Sequence, residues 1–328
     1  MKPIEENVSL KILVTGASGY IGGQVAQRLF KDGNDVVCMT RGNKAVGSIP
    51  TVQGDLLDPK SLLNACRGVD VICHCAGALG KGLTDKMIRA VNVDGVKNMV
   101  LASKENRVKY FLHISAGGVT GPLGMTLADE NTACYPYTVY EKTKYEGECL
   151  ALSLAHQLQI PLGVARPTFT YGPADPHKFI MFKLIKKRLY FYIGNGLSTN
   201  HPVYIDDLIN GILLMLEKKP NQEIYILGGP RPVSKKEWAV TIANELQVLP
   251  PFLKFPVALS RIAAHLMESL GEIFDIYVPL TKSRVLALSK CWGMDIRKAQ
   301  RDLGYHPRVD LAEGVAHTID WYRKEGWL

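Results

Sequence analysis

No stretch of this 328-residue chain reaches the ~18 uninterrupted apolar residues that a membrane-spanning helix needs. Low-complexity tracts and internal repeats are missing as well, which sets aside disordered, collagen-like and solenoid architectures. The opening Met1-Lys2-Pro3-Ile4-Glu5-Glu6-Asn7 is too polar and acidic for a signal peptide, so a cytoplasmic location is expected. Paired cysteine spacing is also lacking. The seven cysteines (Cys38, Cys66, Cys73, Cys75, Cys134, Cys149, Cys291) are odd in number and scattered, so they read as free thiols and not as a disulfide framework. Cys73-His74-Cys75 lies in an apolar run, where strand alternation turns His74 away from both cysteines, and no metal is expected.

What is present is an average globular composition, 47% apolar and 21% charged, in a chain long enough for one large α/β unit or two smaller ones. Lys and Arg outnumber Asp and Glu by 39 to 31, a net charge of +8 that favours anionic partners such as phosphorylated cofactors, acidic lipids or nucleic acid. The densest cluster, Lys183 with Lys186-Lys187-Arg188, is interleaved with Phe182, Leu184 and Ile185 and reads as the solvated face of an amphipathic helix. It comes with no nucleic-acid motif, so no nucleic-acid partner is expected.

Short β-rich runs alternate with helical patterns through the first half: Lys11–Thr15, Asp35–Thr40, Thr51–Gly54, Val69–Ala76, Tyr110–Ser115 and Pro161–Arg166 read as strands. Ile21, Val25 and Leu29 give the first helix one apolar stripe. The expected fold is α/β, a Rossmann-type doubly wound parallel sheet over residues 1–166, with a smaller C-terminal substrate-binding lobe over 167–328 from which some segments return to the sheet.

The first strand runs into Gly16-Ala17-Ser18-Gly19-Tyr20-Ile21-Gly22 and then a helix. Three glycines three apart in that context allow a tight turn, close backbone approach to a pyrophosphate and close helix packing, while the helix N-terminus offers free N–H groups. The second strand ends Thr40-Arg41-Gly42-Asn43-Lys44, without the acidic residue that usually takes a ribose 2′-OH. A guanidinium there can pair with a 2′-phosphate and Lys44 adds charge, so NADP(H) is expected over NAD(H); the alternative for Arg41 is stacking on adenine. Asp55 and Leu56 end the third strand, where they would meet the adenine edge, and Ala76-Gly77 at the end of the fourth leaves room for the cofactor.

Tyr140 and Lys144 stand four apart on one helical face. An ammonium beside a phenol is expected to lower its pKa and so equip the pair to exchange a proton with an alcohol or carbonyl oxygen. With the glycine motif and Tyr140-x-x-x-Lys144 go Val91-Asn92-Val93-Asp94-Gly95, Arg166-Pro167 before Tyr171-Gly172-Pro173, and Val203-Tyr204-Ile205-Asp206-Asp207. On these motifs nearly the whole chain resembles the extended short-chain dehydrogenases/reductases, the NAD(P)-dependent epimerases, dehydratases, dihydroflavonol reductases and 3β-hydroxysteroid dehydrogenases.

That resemblance implies that Lys144 also holds the nicotinamide ribose, that Asn92 serves the proton relay, that Pro167 lines the cofactor, and that a hydroxyl after the fifth strand binds the reacting oxygen. Aligned as in dihydroflavonol reductases that hydroxyl is Ser115; aligned as in sugar epimerases the place falls on Ala116. Ser115 is preferred, because a donor to a developing oxyanion is worth a few kcal/mol. The acidic pair of the dehydratases is replaced by Ala116-Gly117, and the cationic diphosphate clamp of sugar epimerases finds Phe169 and Asn200 or His201 in its places. The expected activity is therefore hydride transfer between a secondary alcohol and a ketone on a hydrophobic, steroid-, flavonoid- or lipid-like small molecule. A nucleotide-sugar epimerase or 4-keto-sugar reductase is the alternative, and an inactive NADPH-binding scaffold a third. The resemblance also implies a homodimer through the helices carrying Asn92 and Tyr140. Near the C-terminus Leu259, Ile262, Ala263, Leu266, Met267 and Leu270 form one apolar helical face. Core packing is its expected fate; lining an apolar pocket and peripheral contact with a membrane surface are the alternatives.

Overall fold

A computed structural model of the chain describes residues 10–42, 45–79, 82–124, 126–274 and 281–328. Its elements begin with β1 (Lys11–Thr15), α1 (Tyr20–Lys31), β2 (Asp35–Thr40), β3 (Thr51–Gln53), α2 (Pro59–Ala65), β4 (Val71–His74), α3 (Asp85–Arg89), α4 (Gly95–Glu105) and β5 (Tyr110–Ile114). There follow α5 (Val139–Leu158), β6 (Leu162–Pro167), β7 (Phe169–Tyr171), α6 (Phe179–Lys186), β8 (Tyr192–Ile193), β9 (Thr199–Asn200), β10 (Pro202–Tyr204), α7 (Ile205–Lys218) and β11 (Glu223–Leu227). The last are β12 (Val233–Ser234), α8 (Lys235–Glu245), β13 (Lys254–Phe255), α9 (Val257–Phe274), α10 (Lys282–Ser289), α11 (Arg297–Leu303) and α12 (Leu311–Lys324).

The chain falls into two compact units, and neither is one continuous segment. Unit 1 takes residues up to Ala116 with Val139–Arg166 and Ile209–Tyr225; unit 2 takes Gly117–Thr138, Pro167–Leu208 and Ile226–Leu328. Of the C-terminal half, 209–225 lies in unit 1, while 117–138 of the first half lies in unit 2.

Unit 1 is built on a seven-stranded sheet in the order β11-β6-β5-β4-β1-β2-β3, and the pairs from β3 to β6 run parallel. Its strands read as near-continuous apolar runs because both faces are covered. Leu13, Ile72, Phe111 and Leu162 on four adjacent strands are fully buried, in one cluster with Met99 and Val100 of α4 and Ala151 and Ala155 of α5. Burying each large side chain stabilises by roughly 1.5–3 kcal/mol. Strand order reverses beside β1, where β1 and β4 pair with Thr15 opposite His74; the carboxyl ends of two such strands diverge into a crevice suited to a ligand.

Unit 2 holds three two-stranded sheets: β10 parallel to β7, β12 antiparallel to β9, and β13 parallel to β8. Rings supply much of its core, with Trp238 and Tyr322 almost wholly buried, and the Tyr322 hydroxyl donates to the Asp175 carbonyl at 2.8 Å. The expected core role of the α9 stripe is corrected here. The side of α9 that packs, with Ile193 and Val285, carries Val257 and Ala264, while Leu259, Ile262, Leu266 and Leu270 face outward.

Candidate active site

The turn after β1 owes its shape to residues without side chains. Gly16 has φ +67°, and a Cβ there would lie 2.7 Å from the Ala76 backbone after β4. Gly19 opens α1 and its N–H donates to the Gly16 carbonyl at 2.9 Å. A Cβ on Gly22 would come within 2.5 Å of the Gly16 carbonyl oxygen and 3.1 Å of Cys75 Cβ. The N-terminus of α1 has no side-chain cap and no acidic residue in its first turn. Its N–H groups, Ser18 on the exposed turn, and Tyr20 and Ile21 in the first helical turn therefore fit a group bearing a pyrophosphate.

Thr15 Oγ1 ties the crevice walls, accepting from Ala76 N–H at 3.2 Å and meeting His74 Nδ1 at 2.8 Å. Arg41 is exposed at the end of β2, just before Gly42, whose carbonyl accepts from Thr40 Oγ1 at 2.6 Å. Lys44 lies outside the described residues. After β3 the Asp55 carboxylate accepts from Leu57 N–H at 2.9 Å, and Leu56 is buried against Gly95, where a Cβ would clash with it at 2.8 Å. Pro167 ends β6, is buried, and falls in unit 2.

Asn92 sits in a single wide, π-type turn over Ala90–Asp94, a local form frequent at functional sites. Its side chain is saturated: Oδ1 accepts from Ala78 N–H at 2.7 Å, and Nδ2 donates to the Ala78 carbonyl and to Thr143 Oγ1, both at 3.0 Å. The Asn92 carbonyl passes so close to α5 that a Cβ on Gly147 would lie 2.1 Å from it. This clamp, Gly77 and Lys144 meet at one place: a Cβ on Gly77 would be 3.3 Å from Asn92 Oδ1 and 3.8 Å from Lys144 Nζ.

Lys144 is buried and donates from Nζ to the Ile114 carbonyl at 2.7 Å. Burial lowers its pKa to about 8, while Glu148, one turn further along α5, acts in the opposite direction. Glu148 is itself buried and accepts from Arg166 Nε at 3.1 Å. The next residue after Ile114 is Ser115, whose buried hydroxyl has no hydrogen-bond partner among the described residues. Tyr140 differs from expectation. Burial, with a smaller push from Glu141, raises its phenol to about 12. Near this site His74 and His113, register partners on β4 and β5, stack at 5.6 Å between centroids and are fully buried, a pairing that sequence reasoning, which weighed His74 only as a metal ligand, did not give.

In unit 2 the residues at the expected diphosphate positions differ: the His201 ring is held internally, and the buried Asn200 Oδ1 has no hydrogen-bond partner among the described residues. His201 Nε2 donates to the Gly229 carbonyl at 2.8 Å and Nδ1 accepts from Met294 N–H at 3.3 Å, while Asn200 is buried. Phe169 packs edge-on to Trp238, with the Lys178 ammonium 4.3 Å from its ring centroid.

The chain is similar to known proteins. The Stigmatella aurantiaca 4-hydroxy-2-methyl-3-oxo-4-farnesyl-3,4-dihydroquinoline-1-oxide ketoreductase is 26% identical over 93% of this chain and 95% of its own. The crystal structure of gox2253 superposes with a TM-score of 0.83 at 26% identity, covering 97% of this chain and 99% of that one. DesIV, a dTDP-glucose 4,6-dehydratase from Streptomyces venezuelae with NAD bound, does so with a TM-score of 0.79 at 24% identity, over 97% and 98% of the two chains. A family model described as the NAD dependent epimerase/dehydratase family matches residues 12–228, two thirds of the sequence and the stretch that contains the glycine turn, Asn92, Tyr140 and Lys144, and the chain belongs to that family.

Proposed function

We propose that the protein is an NADP(H)-dependent oxidoreductase that interconverts a ketone and a secondary alcohol on a hydrophobic small molecule. The observation that carries this reading is the Ser115 hydroxyl, buried without a partner among the described residues, one residue beyond the carbonyl that anchors Lys144. With its pyrophosphate held at the glycine turn, the cofactor would supply or accept hydride through its nicotinamide. Ser115 then donates a hydrogen bond to the substrate oxygen, and Tyr140 gives that oxygen a proton. Lys144, anchored on the Ile114 carbonyl, would hold the ribose. A phenol held near 12 is protonated at neutral pH, which favours the direction in which Tyr140 donates, ketone reduction. The ketoreductase relative, whose name carries a farnesyl group, supports an apolar substrate.

The test is NADPH consumption over steroid-like, flavonoid-like, isoprenoid and 4-keto nucleotide-sugar substrates. Turnover of an apolar ketone that drops ~10²–10⁴-fold in Tyr140→Phe and ~10²–10³-fold in Ser115→Ala is expected. A second reading, nucleotide-sugar epimerisation, draws on the family and the dehydratase neighbour. Conversion of a nucleotide sugar without net NADPH consumption would establish it in place of the first.

A further inference from the structure

Two segments of unit 2 have no carboxylates. Between Asp175 and Asp206 the sequence carries Lys178, Lys183, Lys186, Lys187 and Arg188 but no Asp or Glu, and between Glu245 and Glu268 it carries Lys254 and Arg261 and again none. The fold brings these two segments together. β13 pairs with β8, Tyr192 N–H donates to the Leu253 carbonyl at 2.9 Å, Gly194 N–H to the Phe255 carbonyl at 2.8 Å, and the Phe191 and Phe255 rings meet at 4.8 Å. The Lys186-Lys187-Arg188 turn thus leads within three residues into Phe191 on one side of this pairing, and α9 starts two residues after Phe255 on the other.

The apolar side chains here are outside. Leu259, Ile262, Leu266 and Leu270, spaced three, four and four apart along α9, are 60, 59, 59 and 50% exposed, and Phe252 before the helix is 76% exposed. Scattered surface leucines need no explanation, but a continuous stripe with an aromatic at its end does. The same helix already buries its other side through Val257 and Ala264, so the stripe is not a core face lacking its own lobe. On α9, Glu268 is paired with Lys282 at 3.7 Å and accepts from its N–H at 2.9 Å. Lys186, Lys187, Arg188, Lys254 and Arg261 enter no ion pair among the described residues.

We propose that this face of unit 2 docks on a bilayer surface carrying anionic headgroups, with the α9 stripe and Phe252 in the acyl boundary and the Lys183–Arg188 turn and Lys254 at the phosphates. An apolar stripe rimmed by unopposed cations is the chemistry of an interfacial helix. A second copy of the chain fits it poorly, since pairing two such faces brings like charges together. The proposal does not depend on which reaction the enzyme performs, and its test needs no substrate.

The intact protein is sedimented with vesicles of phosphatidylcholine alone and of phosphatidylcholine mixed with phosphatidylglycerol, at low and high salt. Binding to the mixed vesicles that weakens with salt is expected, since each Lys or Arg at an anionic surface adds about fivefold in partition. A variant with Leu259, Ile262, Leu266 and Leu270 all changed to Gln should lose more than tenfold of that partition while keeping its circular dichroism and NADPH binding; the roughly tenfold floor follows from the apolar area of even one leucine. Lys186→Gln with Lys187→Gln and Arg188→Gln should lose affinity for the mixed vesicles only. No sedimentation of the wild type with mixed vesicles at low salt overturns the proposal, as does wild-type binding by the Gln variant. Light scattering that finds a dimer dispersed by the Gln variant also overturns it, and places a second copy on the stripe.

Discussion

Among single residues, Glu148 stands out because it does two things from one place. Its carboxylate neutralises the buried Arg166 guanidinium, and its charge opposes the burial that pulls Lys144 down to about 8. Glu148→Gln removes both effects. The guanidinium then stays buried without its counter-charge, which costs about 3–5 kcal/mol of stability by denaturant titration. Lys144 also loses a charge that favours its ammonium, so the pH at which kcat falls on the alkaline side should move to a lower value than in the wild type. A merely structural role would reduce stability and leave that limb in place. Arg41 makes a second residue-scale test. If it pairs with a 2′-phosphate, Arg41→Asp should lower the ratio of NADP to NAD affinity by about tenfold or more, measured by fluorescence titration of both cofactors. An unchanged ratio would assign Arg41 to adenine stacking.

The elements were legible in the sequence wherever a pattern was complete within one segment. The strands β1 and β2 fall where their apolar runs put them, and α1 buries Val25 and Leu29 as the stripe requires. The glycine turn was equally legible, because φ +67° at Gly16 and the closeness of Gly22 to the turn are local demands. Gly22→Ala should therefore push α1 off the turn and abolish cofactor binding by calorimetry, whereas Gly33→Ala, at the open end of the same helix, should leave it intact. What the sequence could not give is where a helix widens or which way a helical face turns. The wide turn at Asn92 depends on Gly147 of α5, 55 positions away, letting the Asn92 carbonyl in. The α9 stripe has a core-like period, but Ala264 and Val257 on the other side hold the packing. Tyr140 and Lys144 are four apart on the helix α5 as the spacing says, yet Lys144 reaches Ile114, a partner on the strand β5 that no spacing rule contains.

For the molecule as a whole, tertiary burial sets a pH response that composition conceals. Of the eight histidines, His74 and His113 are fully buried side by side in the middle of the unit 1 sheet. Burial, with Lys144 nearby, lowers His74 to about 3 and His113 well below its usual range. In the unfolded chain each would titrate near 6.5, so below that pH the unfolded state binds more protons and the folded state is penalised. The stability gained by burying neutral rings is thus fully present above about pH 6.5 and is lost as the pH falls, by about 1.4 kcal/mol per pH unit for each ring. His113→Phe keeps a ring in the stack with His74 and removes one titrating group. Hydrogen exchange of the β4 and β5 amides in unit 1 should then show the wild type losing about 2 kcal/mol more than the variant between pH 6.5 and 5. Parallel losses in the two proteins would mean that His113 takes up its proton in the folded sheet, and that the acid response comes from groups outside the stack.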